Sequence, residues 1–197
     1  MILSRFYDEK SAGFYVDIGA HHPIRFSNTY KFYRRGWNGL NVDATPGSMN
    51  IFRYLRPRDI NIEAAIGSEG QHLTFYEFDE PALNTLSAEV AKERNGGRYH
   101  IVRETPLITQ SMAGLLDVYV PGNIRIDFLS IDVEGLDCEV LSSNDWGRYR
   151  PELILAECFG VSTIEEVAAE PVYRLLSSYG YKMVAKTVNT VIFRVDA

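Results

Sequence analysis

The chain has 197 residues, of which 46% are hydrophobic and 23% charged, and its formal net charge is −6. This length and composition predict a single globular domain over residues 1–197 with a sizeable core. The negative charge argues against non-specific binding to nucleic acid or anionic membranes, and no apolar run reaches the roughly 18 residues of a membrane span. The two cysteines lack metal-ligand spacing and indicate reduced thiols, and the start lacks a signal-peptide pattern, so a cytoplasmic protein is expected.

The first third of the chain alternates apolar segments of strand length with helical segments. The predicted strands are 13–19, 39–44 and 60–67. The first helix has Ser27 as its expected N-cap, and a second, short helix ends before Pro57. Four aromatic residues spaced three or four apart predict the apolar face of the first helix: Phe26, Tyr30, Tyr33 and Trp37.

The middle of the chain has a less regular pattern. Residues 72–78 alternate like an edge strand, and 100–108 are expected to form another exposed strand. Residues 82–97 read as partly helical and 111–119 as a helix. Because the pattern is weakest here, substrate choice is expected to lie in this part of the chain.

The last third returns to long apolar strands. Residues 126–135 form a near-continuous apolar run, typical of a central parallel strand covered on both faces, and 151–160 form the next buried strand. Ser162 with Glu165 predicts a capping box for the following helix. The C-terminal segment reads as a hairpin of two strands.

Five strands alternating with helices predict an α/β fold with a doubly wound, mostly parallel sheet, because parallel neighbours need crossover connections. The C-terminal hairpin adds an antiparallel strand. Sheets of this kind bind ligands beyond the carboxyl ends of their strands, where the strand order reverses.

Acidic or small residues end the predicted central strands. Burying a carboxylate is costly unless it is paired or hydrogen-bonded, so several at one sheet edge indicate a polar, ligand-filled cleft. Scattered caps and ion pairs are the alternative. The residues concerned are Asp17, Gly19, Asp43, Asp132, Glu134 and Glu157.

The loop after the first strand favours a cofactor without phosphates. It reads DIGAHHP and lacks the glycines that let backbone N–H groups approach a pyrophosphate. Asp43 can still bind two ribose hydroxyls, so S-adenosylmethionine (SAM) fits. We expect its amino acid end against the Gly19–Ala20 loop, with Asp17 orienting that loop or accepting from the amine, and its adenine near Ala65. Asn28 follows the loop and is a candidate for the cofactor carboxylate or the acceptor.

Three segments between residues 13 and 160 resemble the FkbM family of SAM-dependent methyltransferases: GFYVDIGAHHPIRFSNTYKFYRRGWNGLNVDATP, IDFLSIDVEGLDCEVL and PELILAEC. The resemblance implies a class I methyltransferase (Rossmann-like) fold with a seven-stranded sheet. It also implies O-methylation of a hydroxyl, on a sugar or glycan or on a secondary metabolite of polyketide type. It assigns cofactor contacts to Asp17, Gly19 and Asp43, and places Asp132 and Glu134 beside the reacting centre.

A hydroxyl is a poor nucleophile at neutral pH, so a general base or a divalent cation is needed. Asp132 and Glu157 are similar in placement to the carboxylates that hold magnesium in catechol O-methyltransferase. These two, with Glu134 or a histidine, are expected either to hold Mg²⁺ or to activate the acceptor directly. His21 is a candidate base or ligand at the mouth of the cleft, and a structural role is its alternative.

Two other functions stay open at this point. One is a non-catalytic domain that binds SAM or another nucleoside. The other is a phosphate-free Rossmann oxidoreductase, which ranks lower because no Tyr-x-x-x-Lys pair follows the fourth strand. The expected partner is a small-molecule or glycan acceptor.

Overall fold

The computed structural model describes residues 2–122, 124–158, 160–161 and 163–196. Its nine strands, within that part of the chain, are β1 (Phe14–Ile18), β2 (Asn38–Asp43), β3 (Ile60–Glu63), β4 (His72–Phe78), β5 (Ile101–Ile108), β6 (Phe128–Ile131), β7 (Leu153–Glu157), β8 (Tyr181–Lys186) and β9 (Thr190–Val195). The helices are α1 (Tyr30–Arg34), α2 (Met49–Leu55), α3 (Ala88–Arg94), α4 (Met112–Tyr119), α5 (Asp137–Ser142), α6 (Ile164–Val167) and α7 (Pro171–Ser178), with 3₁₀ helices at Ile2–Tyr7 and Pro81–Leu83.

Seven of these strands form one sheet in the order β3-β2-β1-β6-β7-β9-β8. Strands β1, β2, β3, β6 and β7 are parallel, and β9 runs antiparallel to both β7 and β8. The prediction of a doubly wound sheet with a C-terminal hairpin is therefore confirmed, and the strand order is that of the class I methyltransferase fold. The order reverses between β1 and β6, which is where such sheets bind ligands.

The sheet is covered on both faces, so its central strands are buried and mostly apolar. Every residue of β1 and β6 is buried. Val16 and Leu129 belong to the core on one face, together with apolar residues of α4, α5 and α7. Tyr15 and Phe128 belong to an aromatic core on the other face, in which Trp37 is also buried. This two-sided packing fixes the strand ends relative to one another.

Residues 72–78 are not an edge strand of the main sheet. Strand β4 pairs antiparallel with β5 in a separate two-stranded sheet. A parallel bridge between Ile66 and Gln110 joins the base of this ribbon to the segment after β3. The alternating pattern predicts a half-buried strand correctly, but it contains no information about which strand is the partner. The insertion between β3 and α4 supplies part of the cleft wall, including Phe75 and Thr85.

The predicted apolar face of the first helix is wrong at Phe26. This side chain is 85% exposed, and its φ of 57° places it in a loop before α1 begins at Tyr30. The N-cap of α1 is Thr29 and not the predicted Ser27, although the Ser27 Oγ accepts a hydrogen bond of 3.1 Å from the Tyr30 N–H. The aromatic spacing therefore begins before the helix does, and Phe32, rather than Phe26, is buried.

Two further features concern the second half of the chain. Ser162 lies outside the described residues, and Thr163 with Glu166 forms the capping box of α6.

None of the helices in the described ranges combines the length and the hydropathy needed to cross a bilayer.

Candidate functional site

A cavity of about 340 Å³ opens at the carboxyl edge of the sheet, where the strand order reverses. The ends of β1 and β2, the residues after β3 and β6, and the insertion between β3 and α4 all contribute to its wall. Eight of the predicted site residues line this cleft: Asp17, Gly19, Ala20, His21, Asn28, Asp43, Asp132 and Glu134. Glu157 and Ala65 are not among the lining residues; a Glu157 carboxylate oxygen lies within 4.8 Å of oxygens of Asp132 and Glu134.

Asp17 is the most deeply buried of the carboxylates that line the cleft, with only 3% of its surface exposed. Burial raises its pKa to about 6, while the nearby Arg56 charge and a hydrogen bond from Thr29 oppose that rise. The Thr29 Oγ1 donates to Asp17 Oδ2 at 2.9 Å, and Arg56 Nη2 donates to the same hydroxyl oxygen at 3.0 Å. A buried cation thus holds Asp17 in position through one hydroxyl.

Gly19 lets the end of β1 approach the end of β6. Its φ is +82°, which favours glycine, and a methyl group at this position would lie 1.8 Å from the carbonyl oxygen of Asp132. The N–H groups of Gly19 and Ala20 both donate to the Val42 carbonyl, at 2.9 and 3.0 Å. The turn is therefore hydrogen-bonded to β2 and packed closely against the end of β6, and only glycine fits at residue 19.

Asp43 ends β2 and ties the first loop to the second. Its Oδ2 accepts from the His21 N–H, and its Oδ1 accepts from the Thr45 N–H, both at 2.8 Å. Each oxygen keeps a second lone pair. Because Asp43 also lines the cleft, its carboxylate can accept hydrogen bonds from two adjacent hydroxyls of a ligand.

Three carboxylates meet where β6 and β7 end. Oxygens of Asp132, Glu134 and Glu157 all lie within 4.8 Å of one another. Burial, and then the neighbouring Asp132 charge, raises the pKa of Glu157, whose Oε2 has no hydrogen-bond partner. Burial also raises the pKa of Asp132, while its hydrogen bond with Glu157 and the charge of His21 lower it. Asp132 is exposed, whereas Glu134 and Glu157 are partly buried.

Asp137 adds a fourth carboxyl group behind this cluster. It is buried in the first turn of α5, and burial followed by the Asp132 charge raises its pKa to about 7. The Glu157 N–H points at its Oδ1 at 3.5 Å. Asp137 was not among the predicted site residues, although the sequence places it five positions after Asp132.

Glu134 is held in an unusual backbone conformation by the insertion. Its φ is 54°, and its side chain pairs with Arg94, whose Nη2 lies 2.5 Å from Oε2. The Thr85 hydroxyl donates to the Glu134 carbonyl at 2.8 Å. Burial raises the pKa of Glu134, and the Arg94 hydrogen bond and charge oppose this rise. The insertion therefore completes the site as well as covering it.

Backbone strain is concentrated at the cleft. Within the described residues, three non-glycine residues have positive φ, namely His21, Phe26 and Glu134, and all three line the cavity. The His21 and Phe26 rings stack, with centroids 6.4 Å apart and an interplanar angle of 29°. Such conformations persist where the surrounding structure enforces them, and they cluster at functional sites.

His22 has a structural role, because its Nδ1 accepts hydrogen bonds from the N–H groups of Ile24 and Arg25.

The remaining predicted residues are placed as follows. Asn28 Nδ2 donates to the Ser130 hydroxyl at 3.1 Å, so the segment after the first loop is attached to β6. Ala65 lines a smaller neighbouring cavity, while Ala64 and Ile66 line the cleft. The residues on either side of the predicted Ala65 therefore face the cleft, so this prediction is wrong by one residue.

Sequence reasoning missed Arg56. This side chain is 0% exposed and donates to Asp59, to the Tyr15 hydroxyl and to Thr29. The only indication of this role in the sequence is Asp59, three residues after Arg56, with which Arg56 forms an ion pair. The same spacing occurs on solvated surfaces, so it did not distinguish a buried network from a surface pair.

Comparisons with known proteins found a matching family and a similar solved structure. The sequence model of the methyltransferase FkbM domain matches residues 17–183. Among solved structures, precorrin-6y C5,15-methyltransferase from Geobacter metallireducens is similar, with 13% identity and a TM-score of 0.45 over 95% of this chain and 81% of that chain. No curated protein sequence matches the chain.

Proposed function

Because the chain belongs to the FkbM methyltransferase domain family, we propose that its cleft binds SAM and that it transfers the methyl group to an acceptor hydroxyl. The observation that supports this most is the meeting of Asp17, Gly19, Asp43 and Asp132 in one cavity at the switch point of the sheet. Ligands of class I folds bind at this edge.

The cleft has polar groups suited to each part of SAM. The carboxylate of Asp43 fits the two ribose hydroxyls, since both of its oxygens retain an accepting lone pair. The apolar Ala64 and Ile66 at the β3 side fit an adenine ring. At the β1 side, the buried Asp17 carboxylate and the Asn28 amide offer an acceptor and a donor to the cofactor's amine and carboxylate.

The acidic cluster suits the chemistry of the acceptor. When SAM is bound, it supplies an electrophilic methyl group on a sulfonium. The bond between sulfur and methyl breaks with its electron pair staying on sulfur, and a bond forms between the methyl and the acceptor oxygen. We assign the hydroxyl proton to Asp132, whose charge is supported by a hydrogen bond with Glu157. The charge of His21, which also lines the cleft, lowers the pKa of Asp132, and we assign His21 to stabilising the ionised carboxylate.

A second role for the cluster is to hold Mg²⁺. Asp132, Glu134 and Glu157 present hard oxygen atoms within 4.8 Å of one another, and Mg²⁺ prefers oxygen ligands. A bound cation would favour the alkoxide of the acceptor. Because Arg94 already pairs with Glu134, and burial and the Asp132 charge raise the pKa of Glu157 to about 10, we favour direct proton acceptance by Asp132 over metal binding.

The acceptor is proposed to be a small molecule or glycan carrying a free hydroxyl, of the sugar or secondary-metabolite type. It would enter beside Phe26 and the insertion between β3 and α4, which form the outer wall. The test is transfer of a labelled methyl group from SAM to a panel of sugars, glycans and phenolic or polyketide hydroxyl compounds. Label in an ether product supports the proposal. SAM binding without transfer to any compound would favour a non-catalytic nucleoside-binding domain.

A further inference from the structure

The basic residues of this chain are concentrated on one segment, although its net charge is −6. Residues 18–58 contain seven of the 20 lysines and arginines but only one of the 26 acidic residues, Asp43. The Asp43 side chain is buried, and both of its oxygens accept hydrogen bonds from backbone N–H groups. On either side in sequence, exposed acids are found again at Asp8, Glu9 and Glu63. The exposed surface of this segment is therefore basic, which the net charge of the whole chain conceals.

Five of these basic side chains are exposed and have no carboxylate partner. The five are Arg25, Lys31, Arg34, Arg53 and Arg58. In the part of the chain that the structure describes, no ion pair includes any of them. Three of them donate to neutral oxygens instead: Lys31 to the Ser4 hydroxyl, Arg53 to the Asn50 amide and Arg58 to the Tyr33 carbonyl. Their charge is therefore available to an anionic partner.

The segments that carry these side chains contact one another. The buried Arg56 donates through Nη1 to the Pro23 carbonyl at 3.4 Å and to Ser27 Oγ at 3.3 Å, which joins the end of α2 to the first loop. The Arg58 guanidinium lies 3.9 Å from the centre of the Tyr33 ring, which joins the same end to α1. The first loop, α1 and α2 therefore form one continuous surface.

Exposed apolar side chains accompany the basic ones on this surface. Phe26 and Tyr54 are 85% and 82% exposed, and both are large aromatic residues. Ile24 in the first loop and Ile51 on α2 are exposed as well. Contiguous exposed apolar residues mark sites of interaction with proteins or membranes. The four apolar residues and the five basic ones are together called the basic-apolar surface below.

We propose that the basic-apolar surface docks on a lipid bilayer that contains anionic lipids. On such a bilayer the arginines and the lysine meet lipid phosphates, while the apolar side chains enter the boundary between the headgroups and the acyl chains. A nucleic acid would also attract the basic side chains, but the exposed isoleucines lack the flat ring on which a base stacks. The acids elsewhere in the chain oppose docking only weakly, because charges more than about 8 Å away are largely screened at physiological salt.

Phe26 connects the basic-apolar surface to the cleft, because the same residue lines the cavity. Docking therefore brings the mouth of the cleft next to the membrane. It requires neither SAM nor an acceptor, so the inference does not depend on the proposed function.

Flotation of the full chain with lipid vesicles tests the proposal. One set of vesicles contains phosphatidylcholine alone, and the other contains phosphatidylcholine mixed with phosphatidylglycerol. The protein should bind the anionic mixture at least about tenfold more tightly, and high salt should reduce this preference because it screens charge.

Two double variants separate the basic and the apolar contributions. Arg25→Gln with Arg53→Gln should weaken binding to the anionic vesicles at least about tenfold, since each basic residue near such a surface contributes roughly fivefold. Ile51→Ser with Tyr54→Ser should weaken it at least about threefold although no charge changes, because less apolar surface enters the bilayer. Circular dichroism confirms that each variant is folded.

The matched control is Arg174→Gln with Arg194→Gln, which makes the same change of charge at exposed positions on α7 and β9. It should bind both kinds of vesicle as the wild type does. Equal binding of the wild type to the two kinds of vesicle, unchanged binding by either surface variant, or an equal loss in the control would overturn the proposal. Binding to a single-stranded RNA of mixed sequence without binding to vesicles would also overturn it and assign the surface to nucleic acid.

Discussion

Gly19 and Asp132 are in direct backbone contact across the switch point, and a methyl group at residue 19 would lie 1.8 Å from the Asp132 carbonyl oxygen. This contact joins the end of β1, where the cofactor loop begins, to the end of β6, where the acidic cluster begins. The geometry of both halves of the site therefore depends on one glycine.

Gly19→Ala should consequently separate these strand ends. We expect a loss of at least about 2 kcal/mol in the free energy of unfolding and loss of measurable SAM binding, because the residue has both a positive φ and a close backbone neighbour. Urea denaturation and calorimetry measure the two effects. Gly36→Ala is the matched control, since Gly36 has a φ of +96° and nothing within 4 Å of an added methyl. Gly36→Ala should lower the free energy of unfolding only through its positive φ and should retain SAM binding. Equal effects of the two variants on SAM binding and stability would contradict the proposed role of the Gly19–Asp132 contact.

Asp17 should make stability depend on pH in an identifiable window. Burial raises its pKa from 3.8 to about 6 in the folded protein. The folded state therefore favours the protonated form, and the resulting stabilisation is complete below about pH 4 and is lost as the pH rises through about 6. Asp17→Asn lacks this titration. As the pH rises from 4 to 7, wild type should therefore lose up to about 3 kcal/mol in its free energy of unfolding relative to the variant. Denaturation curves at several pH values measure this, and a difference that stays constant with pH would refute it.

Asp43 is assigned to the ribose hydroxyls, and also holds two backbone N–H groups. Asp43→Asn should weaken SAM binding at least about tenfold, because an amide replaces one accepting oxygen with a donor. Comparing adenosine with 2′,3′-dideoxyadenosine as competitors of labelled SAM separates the two roles. Removing the hydroxyls should weaken competition in wild type and have little effect in the variant. If the hydroxyls matter equally in both proteins, Asp43 supports the loop and does not bind the ribose.

Removal of divalent cations decides between the two roles of the acidic cluster. We expect SAM binding and methyl transfer to persist in excess EDTA, because Arg94 neutralises Glu134 and Asp132 accepts the proton directly. Once an acceptor is found in the panel described above, turnover with and without EDTA measures this. Loss of turnover that Mg²⁺ restores and K⁺ does not would assign Asp132 and Glu157 to a metal ion.

The fold could be predicted from the sequence because its central strands are mostly apolar and its connections are helical. The run at 126–135 contains β6, and the acids that follow these strands lie at one edge, since parallel strands bring their carboxyl ends together. The separate β4–β5 ribbon and the exposure of Phe26 could not be predicted. Both depend on tertiary pairing and on loop conformation, which residue spacing does not encode.

Within the site, residues adjacent in sequence to a strand end were found, and residues that reach it from elsewhere were missed. Asp17, Asp43 and Asp132 belong to the first kind. Arg56 and Arg94 belong to the second, because each approaches a cleft carboxylate from a distant segment. Their roles depend on distances that only the folded chain defines.

A crystal structure of the protein grown with saturating SAM is the most direct test of the central claim. Cofactor density is expected in the cleft, with the ribose hydroxyls within hydrogen-bond distance of Asp43 and the sulfonium methyl beside Asp132. Density on another face of the protein, or a ribose bound away from Asp43, would contradict it.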